Sequence, residues 1–220
     1  MESLSVDRIE HIPVNGVRLE GRLQLPDAAR GLVLFAHGSG SSRHSTRNNY
    51  VAGVLRNHGL GTLLMDLLSA EEDLDYSRRF DIDLLTERLD AATDWAANQD
   101  ASRALQLGYF GASTGAAAAL DAAVRQGDGI RAVVSRGGRP DLAGLGALRS
   151  VRSPTLLIVG GWDTEVLRLN QAAYRELSCK KELAIVPGAT HLFEEPGTLE
   201  EAAALAADWF ERYLPMPVES

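Results

Sequence analysis

Gly108 to Ala117 read Gly-Tyr-Phe-Gly-Ala-Ser-Thr-Gly-Ala-Ala and set Ser113 in a Gly-x-Ser-x-Gly frame, between an apolar strand-like run and an alanine-rich helical one. A serine so placed is suited to nucleophilic attack. Gly111 and Gly115 let the chain turn sharply from strand to helix, which holds Ser113 in a strained conformation with its hydroxyl exposed. A helix starting straight after it offers free N–H groups and a positive dipole end to a developing oxyanion, with the Thr114 amide first in line. The same frame also recurs as a plain glycine-rich turn, so the reading depends on what the other strand ends carry.

In an open parallel sheet, reactive groups gather beyond the carboxyl ends of the strands. After Val33-Leu34-Phe35-Ala36 comes His37-Gly38-Ser39-Gly40-Ser41-Ser42-Arg43-His44, a glycine-rich loop whose Ser39 amide is the second candidate oxyanion donor. The loop lacks the Gly-Lys-Ser/Thr ending of a phosphate-cradling P-loop. Asp163 follows the run Leu156 to Trp162, and His191 follows the run Leu183 to Thr190. The order Ser113, Asp163, His191 is the one in which an imidazole takes the serine proton and a carboxylate fixes the imidazole tautomer. Singly, His191 reads as a surface histidine and Asp163 as a helix cap. Glu165 is the alternative acid, while Glu194 and Glu195 follow His191 too closely to orient it.

Four further residues are candidates for substrate binding: His37, Arg43, Arg136 and Arg139. Arg43 lies in the oxyanion loop, and Arg136 and Arg139 fall past a strand-like run in Ser-Arg-Gly-Gly-Arg-Pro. One or more of the arginines would pair with a carboxylate or phosphate on the substrate. Local salt bridges to Asp66, Asp141 or Glu71-Glu72-Asp73 are the competing reading. His37 is also expected to order its loop through a ring hydrogen bond. His37, His44 and Asp66 are not at a recognised ligand spacing, so no metal is expected, and attack by a serine nucleophile needs no cofactor. His11 and His58 read as ordinary strand and helix-end residues. Cys179 is the only cysteine, which rules out an internal disulfide or thiolate cluster, and its position marks it as a bystander.

The elements that must position these groups alternate. Asn15-Gly16 between two alternating segments in Ile9–Leu25 signals an antiparallel hairpin. Strand-like runs follow at Gly31–Ala36, Gly61–Leu67, Leu105–Phe110, Ile130–Ser135, Thr155–Gly160 and Glu182–Val186. Helix-like segments fall at about Arg47–His58, Phe80–Asn98, Thr114–Gln126, Glu165–Leu177 and Leu199–Leu214. The expectation is one α/β domain over residues 1–220, with an eight-stranded, mostly parallel sheet, an N-terminal antiparallel hairpin and helices on both faces. Arg136 to Ser153 leaves room for one short helix and no cap domain.

Composition narrows the partners. The 220 residues are 45% apolar and 24% charged, as in an ordinary globular domain, and the net charge of −8 disfavours nucleic acid or an anionic membrane. No apolar run is long enough to span a bilayer and the first residues do not read as a signal peptide, so the expected place is the cytoplasm. The expected partner is a small molecule. An exposed strand or helix edge would be the place for a homodimer contact.

His37-Gly38-Ser39-Gly40, Gly111-Ala112-Ser113-Thr114-Gly115, Asp163 and Pro187-Gly188-Ala189-Thr190-His191-Leu192-Phe193 together resemble the dienelactone hydrolase family of α/β-hydrolases, over nearly the whole chain. The resemblance implies a lidless hydrolase of esters or lactones, with Ser113, Asp163 and His191 as its triad and oxyanion donors near Ser39 and Thr114. Two departures matter. The family's name-giving enzymes carry Cys at the elbow where this chain has Ser113, and Glu at the end of the third strand where it has His37, so their thiolate switching is not implied. The chain is also similar to a branch of hydrolases, some fused to phosphoribosyltransferase domains and some resembling promiscuous phosphotriesterases. Two alternatives therefore stay open: phosphotriester cleavage with the same triad, and a non-catalytic binding protein on the same fold.

Overall fold

Asn15 and Gly16 take φ values of 44° and 85°, the left-handed pair that a primed hairpin turn requires. They join β1 (Leu4–Val14) to β2 (Val17–Pro26), which pair antiparallel. The other strands are β3 (Gly31–Ala36), β4 (Gly61–Met65), β5 (Gln106–Ala112), β6 (Ile130–Arg136), β7 (Thr155–Gly160) and β8 (Lys181–Val186). The computed structural model, which describes residues 4–214, places all eight in one sheet of order β1-β2-β4-β3-β5-β6-β7-β8. β2 runs antiparallel to β4, and every other pairing from β3 onward is parallel. The expected α/β-hydrolase arrangement, mostly parallel with an antiparallel start, is the one found.

The strands separate two apolar layers with period two. Val33 and Phe35 of β3 face one side with Phe110 and Val134, and are covered by α1 (Thr46–Asn57) and α6 (Thr198–Tyr213) through Val51, Leu55, Ala206 and Phe210. Leu32 and Leu34 face the other side with Tyr109 and Val133, under α2 (Ile82–Ala97), α3 (Thr114–Gln126) and α5 (Thr164–Glu176). Ala116 to Ala119 are all fully buried, so the alanine run serves close packing of α3 on the sheet.

Two differences from the sequence expectation bear on the site. β5 and β6 stay paired as far as Ala112↔Arg136, so Arg136 ends a strand rather than following one. Short 3-10 turns at Glu72–Leu74 and Tyr76–Phe80 precede α2, in a stretch whose periodicity gave no signal. Between β6 and β7 the chain makes a 3-10 turn and α4 (Gly144–Ser150), the single short helix for which there was room.

Gly115 sits where α3 crosses β3. A Cβ there would meet the Ala36 carbonyl oxygen and stand 2.6 Å from the His37 carbonyl oxygen. In a free helix Gly→Ala stabilises by about 1 kcal/mol. Here the sign reverses: Gly115→Ala is expected to lower stability by about 1–3 kcal/mol in urea unfolding, and a gain in stability would contradict the close crossing.

Candidate active site

Ser113 stands between β5 and α3 with φ 52° and ψ −122°, a conformation that costs a non-glycine residue about 1–3 kcal/mol. The surroundings hold it there. Its N–H donates to the Arg136 carbonyl at 3.3 Å, and its carbonyl accepts from Arg139 N–H at 3.0 Å and from Ala116 N–H at 3.1 Å. Gly38 lets the neighbouring loop approach, since a Cβ there would lie 2.9 Å from the Ser113 Cβ. As the N-cap of α3 a serine hydroxyl commonly bonds back to the helix, yet Ser113 makes no such bond. Its side chain lines a cleft of about 510 Å³, together with Ser39, Arg136, Gly137 and His191.

Asp163 occupies the N-cap position of α5, but its carboxylate does not cap the helix. Instead Oδ2 lies 2.7 Å from Nδ1 of His191. An Nδ1–H donating to that carboxylate leaves Nε2 of the ring as the basic nitrogen. Gly137 backs the imidazole: a Cβ there would come within 3.6 Å of the ring. The alternative acid, Glu165, is exposed in the first turn of α5.

The turn that carries His191 is held from within. Glu195 accepts from Thr190 N–H at 3.0 Å and from the Thr190 hydroxyl at 2.7 Å, bonds that hold its carboxyl below the usual range. Phe193, two residues beyond His191, is buried at a φ of 55°, another unfavourable value that packing must enforce. Neither Glu194 nor Glu195 bonds His191. The bracing role of Glu195 had no sequence signal, because a six-residue turn of this kind has no fixed pattern.

The oxyanion candidates come from two different elements. Thr114 is the first residue of α3, whose leading N–H groups have no intrahelical acceptor. Ser39 is exposed on the loop after β3 and lines the cleft.

His37 does not line the cleft, which goes against its expected place in substrate binding. It is buried, with Nδ1 2.9 Å from the Gly38 carbonyl, while Nε2 accepts from Leu67 N–H at 3.0 Å. Both ring nitrogens are consumed in tying the oxyanion loop to the chain after β4, the ordering role that was also expected. Burial pushes the ring's pKa down, against smaller opposing effects of the Gly38 carbonyl and of Asp66 and Asp73.

The three arginines part company. Arg43 binds Asp66 and Glu20 and does not line the cleft. Arg139 makes a two-pronged pair with Asp141, at 2.9 and 2.8 Å. These two show the local ion pairing of the competing reading, because a carboxylate lies within reach of each guanidinium. Arg136 is different. It is only 8% exposed, lines the cleft, donates to Asn48 Oδ1 at 3.3 Å, and lies over the rings of Phe110 and Phe193 at 5.9 and 5.7 Å. Burial, reinforced by the charge of Arg47, lowers its pKa to about 10, so it remains charged at neutral pH.

The other titratable groups stand apart. His58 pairs with Glu211 at 3.3 Å, and half-buried Cys179 lies near Thr155, at the end of the sheet away from the cleft. Among the described residues, no three His, Cys, Asp or Glu side chains converge as metal ligands.

Comparison with known proteins gives the same architecture. The chain is 52% identical to a dienelactone hydrolase from Anabaena variabilis, covering 94% of this chain and 98% of that one, with a TM-score of 0.91. At 15% identity the fold alone is shared with Est1E from Butyrivibrio proteoclasticus (TM-score 0.81, 94% of this chain and 98% of that one). The same holds at 20% identity for a lidless α/β serine hydrolase from Xanthomonas campestris (TM-score 0.79, 99% and 100%). Two Mycobacterium tuberculosis proteins that bear the provisional name phosphoribosyl transferase are 59% identical over 198 residues, 90% of this chain. The chain spans 44% of their length. No family model matches.

The His37 geometry makes a pH prediction. A ring that must stay neutral to accept from Leu67 has its folded pKa below the unfolded value of about 6.5. Its contribution to stability is therefore complete above about pH 6.5 and is lost as pH falls through that value toward the folded pKa. The difference in unfolding free energy between wild type and His37→Gln should shrink between about pH 7.5 and pH 5. A difference independent of pH would show that the ring is not held neutral.

Proposed function

The chain belongs to the dienelactone hydrolase family of α/β-hydrolases, and from that membership and the chemistry of its cleft we propose a serine hydrolase that cleaves carboxylic esters or lactones of small soluble substrates. The observation that carries the proposal is the union of a strained, uncapped Ser113 with a His191 whose Nδ1 is engaged by Asp163 at 2.7 Å. In this reading the Nε2 nitrogen of His191 takes the proton of Ser113 as its Oγ attacks the carbonyl carbon. The amides of Ser39 and Thr114 receive the oxyanion, and the leaving alcohol collects the proton from His191. A water molecule deprotonated by the same histidine then attacks the acyl-enzyme and releases the acid. Asp163 fixes the tautomer and stabilises the imidazolium.

Access supports small, soluble substrates. Only a 3-10 turn and α4, seven residues long, lie between β6 and β7, and the cleft opens directly to solvent. No helix among the described residues is long and apolar enough to cross a membrane. We place the reaction in the cytoplasm, consistent with a lone cysteine. The transferase named for the M. tuberculosis relatives we assign to their remaining length, and the hydrolase chemistry to the portion this chain matches.

Pre-steady-state hydrolysis of p-nitrophenyl acetate tests the mechanism. Wild type should release a burst of p-nitrophenol that Ser113→Ala abolishes, and Asp163→Asn should lower kcat by up to about 10⁴-fold through the wrong tautomer. A burst surviving in Ser113→Ala would sink the proposal. Steady turnover of paraoxon without inactivation would move phosphotriester cleavage ahead of ester cleavage.

A further inference from the structure

We propose that the α1 side of the cleft is a subsite for a phosphate group, so that the ester cleaved at Ser113 is one that carries a phosphate; the second half of this statement rests on the hydrolase reading, the first does not. The starting point is Arg136. Buried arginines are nearly always paired, because an uncompensated charge in a low-dielectric surrounding is expensive. Arg136 is 8% exposed, yet among the described residues no carboxylate forms an ion pair with it, and its Nε and Nη1 are buried without a hydrogen-bond partner. Its one side-chain bond is to the neutral Asn48. The charged group that does act on it is Arg47, of the same sign. Arg43 and Arg139, a few residues from the same cleft, both have carboxylates.

The wall facing Arg136 has the same polarity. The cleft is lined by Ser42 of the preceding loop and by Ser45, Thr46, Arg47 and Asn48, the N-cap and first turn of the twelve-residue helix α1. Ser45 Oγ caps that helix by accepting from Asn48 N–H at 3.2 Å, which leaves the amides of Thr46 and Arg47 as first-turn donors at its positive end. The partner of Arg47, Glu194, is itself mostly exposed and 3.2 Å away, so the pair is screened by water and readily exchanged. A buried unpaired guanidinium, a second arginine and the start of a helix thus meet in one cleft beside the nucleophile.

That combination selects the ligand. A single carboxylate has two oxygens in one plane and one negative charge, whereas these donors approach from β6 and from α1. A phosphate presents three free oxygens and close to two charges, and helix N-termini with nearby arginines are suited to it. The Arg136 carbonyl accepts from Ser113 N–H at 3.3 Å, so the subsite adjoins the reacting centre and a phosphate held there would lie on the same small substrate as the ester.

Calorimetric titration with inorganic phosphate tests the subsite without using catalysis. Wild type and Ser113→Ala should bind phosphate alike. Arg136→Met should weaken binding by at least about tenfold, and Arg47→Ala by a few-fold to about tenfold. Arg47 is half-exposed, so its variant keeps the test decisive should Arg136→Met fail to fold. Absence of saturable phosphate binding, undiminished binding in Arg47→Ala, or acetate binding as tightly as phosphate would each overturn the proposal. Phosphate binding without Ser113-dependent hydrolysis of any ester would overturn the ester half and uphold the phosphate half.

Discussion

The backbone of Ser113 is the constraint on which the rest of the site depends. At φ 52° and ψ −122° this residue stays put only because everything around it is already fixed. β5 and β6 remain paired to Ala112↔Arg136, the Arg136 carbonyl and Arg139 amide clamp the peptide groups of Ser113, and Gly38 brings the oxyanion loop against its Cβ. Gly115 and Ala116 let α3 start within contact of β3 and β5. A hydroxyl that would otherwise cap a helix is thereby turned to the cleft. The strain is maintained by the sheet and is inseparable from the position of Arg136, whose backbone holds the serine and whose side chain lines the same cleft.

The same economy governs the histidine. Asp163 lies where a capping residue would be expected and gives up the cap to bind Nδ1 of His191, which leaves the first turn of α5 without a side-chain acceptor. The tight turn that presents His191 has its own unfavourable residue, Phe193, and is closed by Glu195 on Thr190. In the loop after β3, His37 serves the opposite purpose to His191. Burial suppresses its basicity and both its nitrogens are taken, so it works as a fixed strut between two loops. Two histidines in one active region are thus separated by environment: one about 39% exposed on its side chain and oriented by a carboxylate, the other sealed and neutral.

The arginines illustrate how charge is apportioned. Asp66 and Asp141 neutralise Arg43 and Arg139 locally, which stiffens the loops around the cleft and adds little net stability where the pairs remain in reach of water. Arg136 has aromatic faces and an amide for company, which soften the cost of its burial without cancelling its charge. A protein of net charge −8 thus keeps, in the cleft that Ser113 lines, a guanidinium with no carboxylate partner among the described residues.

The elements, their order and the candidate trio of Ser113, Asp163 and His191 were legible in the sequence because each has a local cause. Alternation and apolar runs follow from burial of one or both strand faces, Asn15-Gly16 from the need for two positive φ values, and Gly111 and Gly115 from a turn too tight for side chains. The position of Asp163 and His191 just past strand ends follows from parallel topology, which brings all such ends to one edge. What the sequence could not decide was which polar residues find partners. Arg43, Arg136 and Arg139 look alike along the chain, and only the folded structure, by placing carboxylates near two of them and Asn48 near the third, makes one different. Glu195, Asn48 and Arg47 had no sequence signal for the same reason. Periodicity is imposed by backbone geometry that every residue shares, whereas a charge acquires its meaning from neighbours that the chain brings together only in three dimensions.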